Sequence, residues 1–201
     1  MDDTAQQAGI DADAALMLLF CQGDASAFDQ LYDKHKGPLF RYLKRQCNNQ
    51  STAEELFQDV WLKVIGARER YQAKARFTTW LYHMAHNRLI DHYRQAGRLP
   101  SSFKQSRADL DEQCENLDVM EVADPQQVPI ERQIDSQRQC QLLISLVKIL
   151  PDAQREAFLL KQETGLSIQE IADITATGIE TAKSRLRYAV ATLRRGLRGE
   201  Q

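Results

Sequence analysis

Apolar residues recur at helical spacing along most of the chain, and no stretch alternates apolar with polar in the manner of a strand, so an all-helical protein is expected. Four helical segments precede residue 98. Ala12 to Gln22 is short and apolar. Ala25 to Cys47 carries Phe28, Leu31, Tyr32, Leu39, Phe40 and Leu43, with Gly37-Pro38 expected to bend it. Ser51 to Ile65 opens on Ser51 and Glu54, a capping-box spacing, and buries Ala53, Leu56, Phe57, Val60 and Val64, with Trp61 at the edge of that stripe. Phe77 to Arg94 is the fourth.

The C-terminal fifth has a sharper pattern. Ser167 and Glu170 again fit a capping box, followed by Ile168, Ile171 and Ala172 on one face. Thr175-Ala176-Thr177-Gly178 breaks this helix, with Gly178 free to take a positive φ. Ala182, Leu186, Ala189, Val190 and Leu193 then form one stripe of a second helix. Its opposite face carries Thr181, Ser184, Arg187, Tyr188 and Arg195, flanked by Lys183 and Arg185. Between Thr181 and Arg198 there are six basic residues and no acidic one. A short helix, a tight turn and a basic second helix define a helix-turn-helix suited to the DNA major groove. The plainer reading of the charge is a solvated basic helix end favoured by the helix dipole.

Charge elsewhere is arranged in blocks. The whole chain has a formal net charge of −2, yet nine acidic residues and one arginine lie between Ala108 and Asp135. With Pro125 and Pro129, that stretch reads as a tether between two helical domains, extended in its middle. The expected organisation is an N-terminal extension with a short helix (1–23), a first domain (24–98), an acidic linker (99–129) and a second domain (130–201). No apolar run approaches a membrane span. The acidic N-terminus, with no basic residue before Lys34, does not read as a secretory signal. Cys21, Cys47, Cys114 and Cys140 are widely spaced and read as reduced cytosolic thiols, so a cytoplasmic protein is expected. No P-loop, glycine-rich phosphate cradle or nucleophile–base pair is present, and neither an enzyme nor a cofactor is expected.

Two helix faces in the first domain are not explained by a core. Glu55, Gln58, Asp59 and Leu62 share the polar side of the third helix, leaving a leucine among acids and amides. It reads either as a protein contact or as one of the solitary exposed leucines common on soluble proteins. On the fourth helix Trp80, His83, Asn87 and Arg94 lie within about 60° of one another. An aromatic to stack on a base, an amide for its edge and an arginine for phosphate make a single-strand site; the alternative is a core tryptophan beside ordinary polar surface. Upstream, the loop from Arg68 to Phe77 is basic and bounded by aromatics, and holds Tyr71, Lys74 and Arg76. His83, His86 and His92 raise a zinc alternative, but they point in scattered directions and no carboxylate or cysteine completes a set.

Taken in order, Gly23-Asp24-Ala25-Ser26-Ala27-Phe28, the run from Ala53 to Val64, the run from Phe77 to Arg94, and Leu150-Pro151 followed by the helix-turn-helix with Thr181-Ala182-Lys183-Ser184-Arg185-Leu186 resemble a bacterial sigma factor of the extracytoplasmic function (ECF) group of the sigma-70 family. The resemblance covers Asp24 to Arg98 and Leu150 to Leu197. It implies a region 2 helical bundle and a region 4 helix-turn-helix, acting in promoter-specific initiation without catalysis. Glu55, Gln58, Asp59, Trp61 and Leu62 would meet the clamp helices of the polymerase β′ subunit, giving the misplaced leucine a partner. Tyr71, Lys74, Arg76, Phe77, Trp80, His83, Asn87 and Arg94 would read and melt the −10 element, with a flipped base held at Asn87. Thr181, Lys183, Ser184, Arg185, Arg187 and Tyr188 would read the −35 element, with region 4 also meeting the β flap. The acidic linker matches in place the segment that threads toward the RNA exit channel. An anti-sigma factor, often membrane-bound, is implied, and no small-molecule substrate. Three departures stand out: Glu180 where many relatives carry glycine, Ala182 in place of valine, and the pair Arg187–Tyr188. The −35 sequence therefore does not carry over. The competing readings are a duplex-binding regulator with a helical sensor domain and a zinc enzyme built on the three histidines.

Overall fold

A computed structural model describes residues 11–47, 49–97 and 130–198, the last segment with side chains from 138 onward. Among the described residues every regular element is helical. They are α1 (Ala12–Cys21), α2 (Ala25–Cys47), α3 (Gln50–Gly66), a short 3-10 turn (Arg68–Arg70), α4 (Phe77–Gln95), α5 (Ile130–Ile149), α6 (Asp152–Thr164), α7 (Ile168–Ile174) and α8 (Ile179–Arg198). The acidic linker expected over 99–129 lies outside the described residues.

Helices α1 to α4 pack around α2. Met17, Leu31, Leu39, Leu43, Leu56, Val60, Val64, Leu81 and Leu89 are fully buried there, following the spacing expected of amphipathic helices. Phe28, Tyr32, Phe57 and Trp61 form an aromatic cluster, with Trp61 edge-on to Phe28 at 5.7 Å and to Tyr32 at 5.0 Å. Helix α2 runs through Pro38 without interruption. The missing proline N–H removes only one rung of the ladder, which the buried residues Leu31, Leu39, Tyr42 and Leu43 on either side outweigh.

Two sequence expectations about helix ends are corrected. The start of α3 is capped by Asn49, whose side-chain oxygen accepts from the N–H of Ser51 at 2.9 Å and of Thr52 at 3.4 Å. An Asn two residues earlier offers the same acceptor, so Ser51 lies inside the helix. After α7 the left-handed residue is Ala176, with φ 51°, and not Gly178. Gly178 instead precedes α8, and its carbonyl accepts from Ala182 N–H at 3.0 Å, the position of an N-cap. The capping box at α7 forms as expected: Ser167 and Glu170 bond reciprocally.

Helices α5 to α8 pack around Leu159, Leu160, Leu166, Ile171, Ile174, Ala189 and Leu193. Helix α5 lies so close to α8 that a Cβ at Gly196 would stand 2.5 Å from the Leu146 side chain. The two bundles meet where α2 packs on α6 and α4 on α7.

Candidate nucleic-acid and polymerase interface

The polar face of α3 has the form its sequence predicts. Glu55 and Gln58 are exposed, and Leu62 is 64 % exposed. Ile65, one turn further on, is 44 % exposed and extends the apolar spot. Asp59 is half-buried because Arg88 of α4 crosses to it, 2.6 Å between Nη2 and Oδ2, and reaches Glu55 at 3.6 Å. Arg88 was not among the expected residues; it fixes both carboxylates and tempers their charge. Trp61 differs from expectation. It is 5 % exposed and held inside the aromatic cluster, beneath the exposed face that carries Glu55, Gln58 and Leu62.

The residues expected to form a single-strand site are brought together in part. Arg76 and Lys74 are exposed in the loop before α4. Tyr71 and Trp80 meet edge to face at 4.8 Å, and Phe77 lies 5.7 Å from Trp80. Burial pushes the Tyr71 phenol up to about 12, so it serves as a neutral aromatic wall. Phe77 is fully buried and belongs to the core, which leaves Tyr71 and Trp80, both half-buried, as the rings at the surface. His83 and Asn87 are both exposed one turn apart, with Asn87 Nδ2 3.1 Å from His83 Nδ1. Arg94 is exposed on the same line and pairs loosely with Asp91 at 3.6 Å. Helix α4 takes no cap from its own Arg76; instead Asp11 at the start of α1 accepts from Phe77 N–H at 3.2 Å. This tie between distant chain positions leaves no local sequence signal.

On α8 Lys183 is exposed, and Thr181, Ser184, Arg187 and Tyr188 are half-buried. The Arg187 guanidinium stacks over the Tyr188 ring at 5.5 Å. Arg185 is the exception among the expected −35 residues. It is only 9 % exposed, because it borders the apolar stripe on the flank that faces the first bundle and the Glu156 carboxylate.

The three histidines do not converge. His83 pairs with Asn87, His86 is buried against Glu156, and among the described residues no group of three potential metal ligands is assembled. The zinc reading has no site among them. Among the described residues no helix is long and apolar enough to cross a membrane.

Comparison with known proteins places the chain in one family. Residues 31–99 match the family model "Sigma-70 region 2" and residues 140–193 match "Sigma-70, region 4". The chain is 29% identical to the ECF RNA polymerase sigma factor BldN of Streptomyces coelicolor over 191 residues, covering 92% of this chain and 67% of that one. It is 27% identical to the ECF RNA polymerase sigma-E factor of Haemophilus influenzae, covering 87% and 89%, and 28% identical to SigK of Mycobacterium tuberculosis, covering 90% of each. Among solved structures, CnrH bound to the cytosolic domain of CnrY matches with a TM-score of 0.62 at 19% identity, covering 95% of this chain and all of that one. RpoE of Bartonella quintana, solved with the anti-sigma factor NepR, matches with a TM-score of 0.60 at 21% identity, covering 87% and 98%. These two likenesses establish the fold. The chain belongs to the ECF group of the sigma-70 family. Its role is accordingly promoter-directed transcription initiation with RNA polymerase.

Proposed function

We propose that region 2 docks on the β′ clamp helices through the α3 face and captures unpaired −10 bases along α4, while region 4 reads the −35 duplex through α8. The observation that carries this reading is the exposed Leu62 set among Glu55, Gln58 and Asp59 on a helix whose other side is fully used by the core. A duplex-binding regulator has no use for that face. Binding energy from captured bases would drive strand opening, and backbone contacts by Lys74, Arg76 and Arg94 would hold the strand. An anti-sigma factor is the expected regulatory partner, as in the relatives solved with one.

In vitro transcription with core polymerase tests the reading. The chain should confer initiation on a subset of genomic fragments; specific duplex binding without any initiation would refute it. Leu62→Glu should lower affinity for core about tenfold or more in a pull-down, since a central apolar contact is commonly worth about 1–2 kcal/mol or more. The side chain touches no core, so the melting temperature should stay within about 2 °C of the parent. Unchanged core affinity would remove Leu62 from the docking face.

A further inference from the structure

Region 4 presents three carboxylates to region 2 at a spacing of seven residues: Glu156 and Glu163 on one face of α6, and Glu170 in α7. Each finds its partner on the other bundle. Glu156 is fully buried, and its Oε1 accepts from Tyr42 Oη–H at 2.8 Å and from His86 Nδ1–H at 2.6 Å. Glu163 pairs with Arg41 at 2.9 Å and with Arg45. Glu170 accepts from Thr79 Oγ1–H at 2.7 Å and lies 3.9 Å from Arg76. A carboxylate with no solvent exposure is tolerated only where donors are in place to replace water. The match of an acidic row on α6–α7 to a basic and hydroxyl row on α2 and α4 is therefore specific.

This contact conflicts with promoter binding. The −10 and −35 elements are about 25 base pairs apart, which at about 3.4 Å per pair is about 85 Å of duplex. Here the first turn of α4, the −10 reader, is hydrogen-bonded to the first helix of the helix-turn-helix. Arg76 is drawn to Glu170, and Arg185 of the recognition helix is turned inward. Resting on the region assignments above, we propose that the Glu156–Glu163–Glu170 row is an intramolecular latch that docks region 4 on the α2–α4 face of region 2. It holds the free chain in a closed form unable to engage both promoter elements. Opening on core polymerase exchanges these contacts for polymerase and DNA.

The test is a charge swap in the full chain, read by small-angle scattering and by initiation at limiting core. Glu163→Arg, and separately Arg41→Glu with Arg45→Glu, should raise the radius of gyration above the roughly 17 Å of a compact chain this long. Each should raise initiation at limiting core about two- to fivefold, the worth of partly exposed ion pairs. The triple variant Arg41→Glu, Arg45→Glu, Glu163→Arg should restore both values toward the parent. Far-UV circular dichroism establishes that each variant folds; Arg41 is exposed, so its side of the swap spares the core. Unchanged scattering in both charge-reversed chains, or failure of the triple to close again, overturns the latch. Scattering that follows the charges while no chain initiates would instead overturn the promoter reading, leaving the contact itself demonstrated.

Discussion

Glu156→Ala should uncouple the two bundles, weakening their association by about 3–5 kcal/mol, the usual penalty for removing one partner of a buried pair. The alanine leaves the Tyr42 hydroxyl, the His86 imidazole and the Arg185 guanidinium facing a site without its anion. Both tryptophans, Trp61 and Trp80, lie in the first bundle, so their fluorescence reports that half alone, whereas circular dichroism reports both. In denaturant the two signals should coincide for the parent and separate for the variant. Coincident transitions in both would show that Glu156 does not couple the halves.

The same site gives closure a pH dependence of defined sign. Burial pulls the His86 imidazole down, but the Glu156 charge and hydrogen bond more than offset it, so its pKa lies above the ordinary value of 6.5. Arg185 from α8 and Arg94 on α4 oppose that rise, and Tyr42 from α2 shares the same carboxylate oxygen. His86 therefore binds its proton more tightly in the closed form. Closure is fully supported below about pH 6.5 and weakens as pH rises through the raised value. The buried His35 has the opposite shift, lowered by burial against its bond to Asp13, and it lines a cleft that Glu163 and Thr164 border from the second bundle. Scattering should show a larger particle at about pH 8.5 than at about pH 6, and His86→Gln should abolish the difference. A pH response that survives in His86→Gln would assign it to another group.

The helices, the core stripes and the Ser167–Glu170 cap were legible because each depends on residues within one or two turns of one another. The same locality explains the errors. Asn49 and Ser51 offer the same capping chemistry two residues apart, and only the chain entering α3 selects between them. Gly178 and Ala176 compete for one reversal, and the requirement to cap α8 takes the glycine. Trp61 and Phe77 are expected at a contact surface, yet their aromatic area is used in packing. Nothing in the neighbourhood of Arg185, Glu156, Glu163 or Thr79 signals their partners, which lie 70 to 122 positions away or more than a helix apart. Helical periodicity records which face is buried but not whether the cover is the same bundle or the next one.

Asn87→Ala should reduce strand opening at the −10 element about tenfold or more while leaving affinity for core polymerase unchanged. Asn87 is exposed and touches no core residue, so its removal leaves the fold of α4 intact. Its amide offers both a donor and an acceptor, the pair that recognises one edge of an unstacked base, and such a pair is worth about 1–3 kcal/mol. The contact with His83 at 3.1 Å orients the amide before the base arrives, which lowers the ordering entropy of capture. Trp80, in ring contact with Tyr71 and Phe77, would provide the stacking surface about two turns back along α4. The effect should thus be confined to opening: a fluorescent base analogue in the −10 non-template strand should lose most of its signal, while a pull-down with core polymerase remains at parent level. His83→Ala should give a smaller loss of the same kind, since the amide survives but is no longer oriented. If Asn87→Ala opens the promoter as well as the parent, the α4 face is ordinary polar surface and strand capture lies elsewhere on region 2.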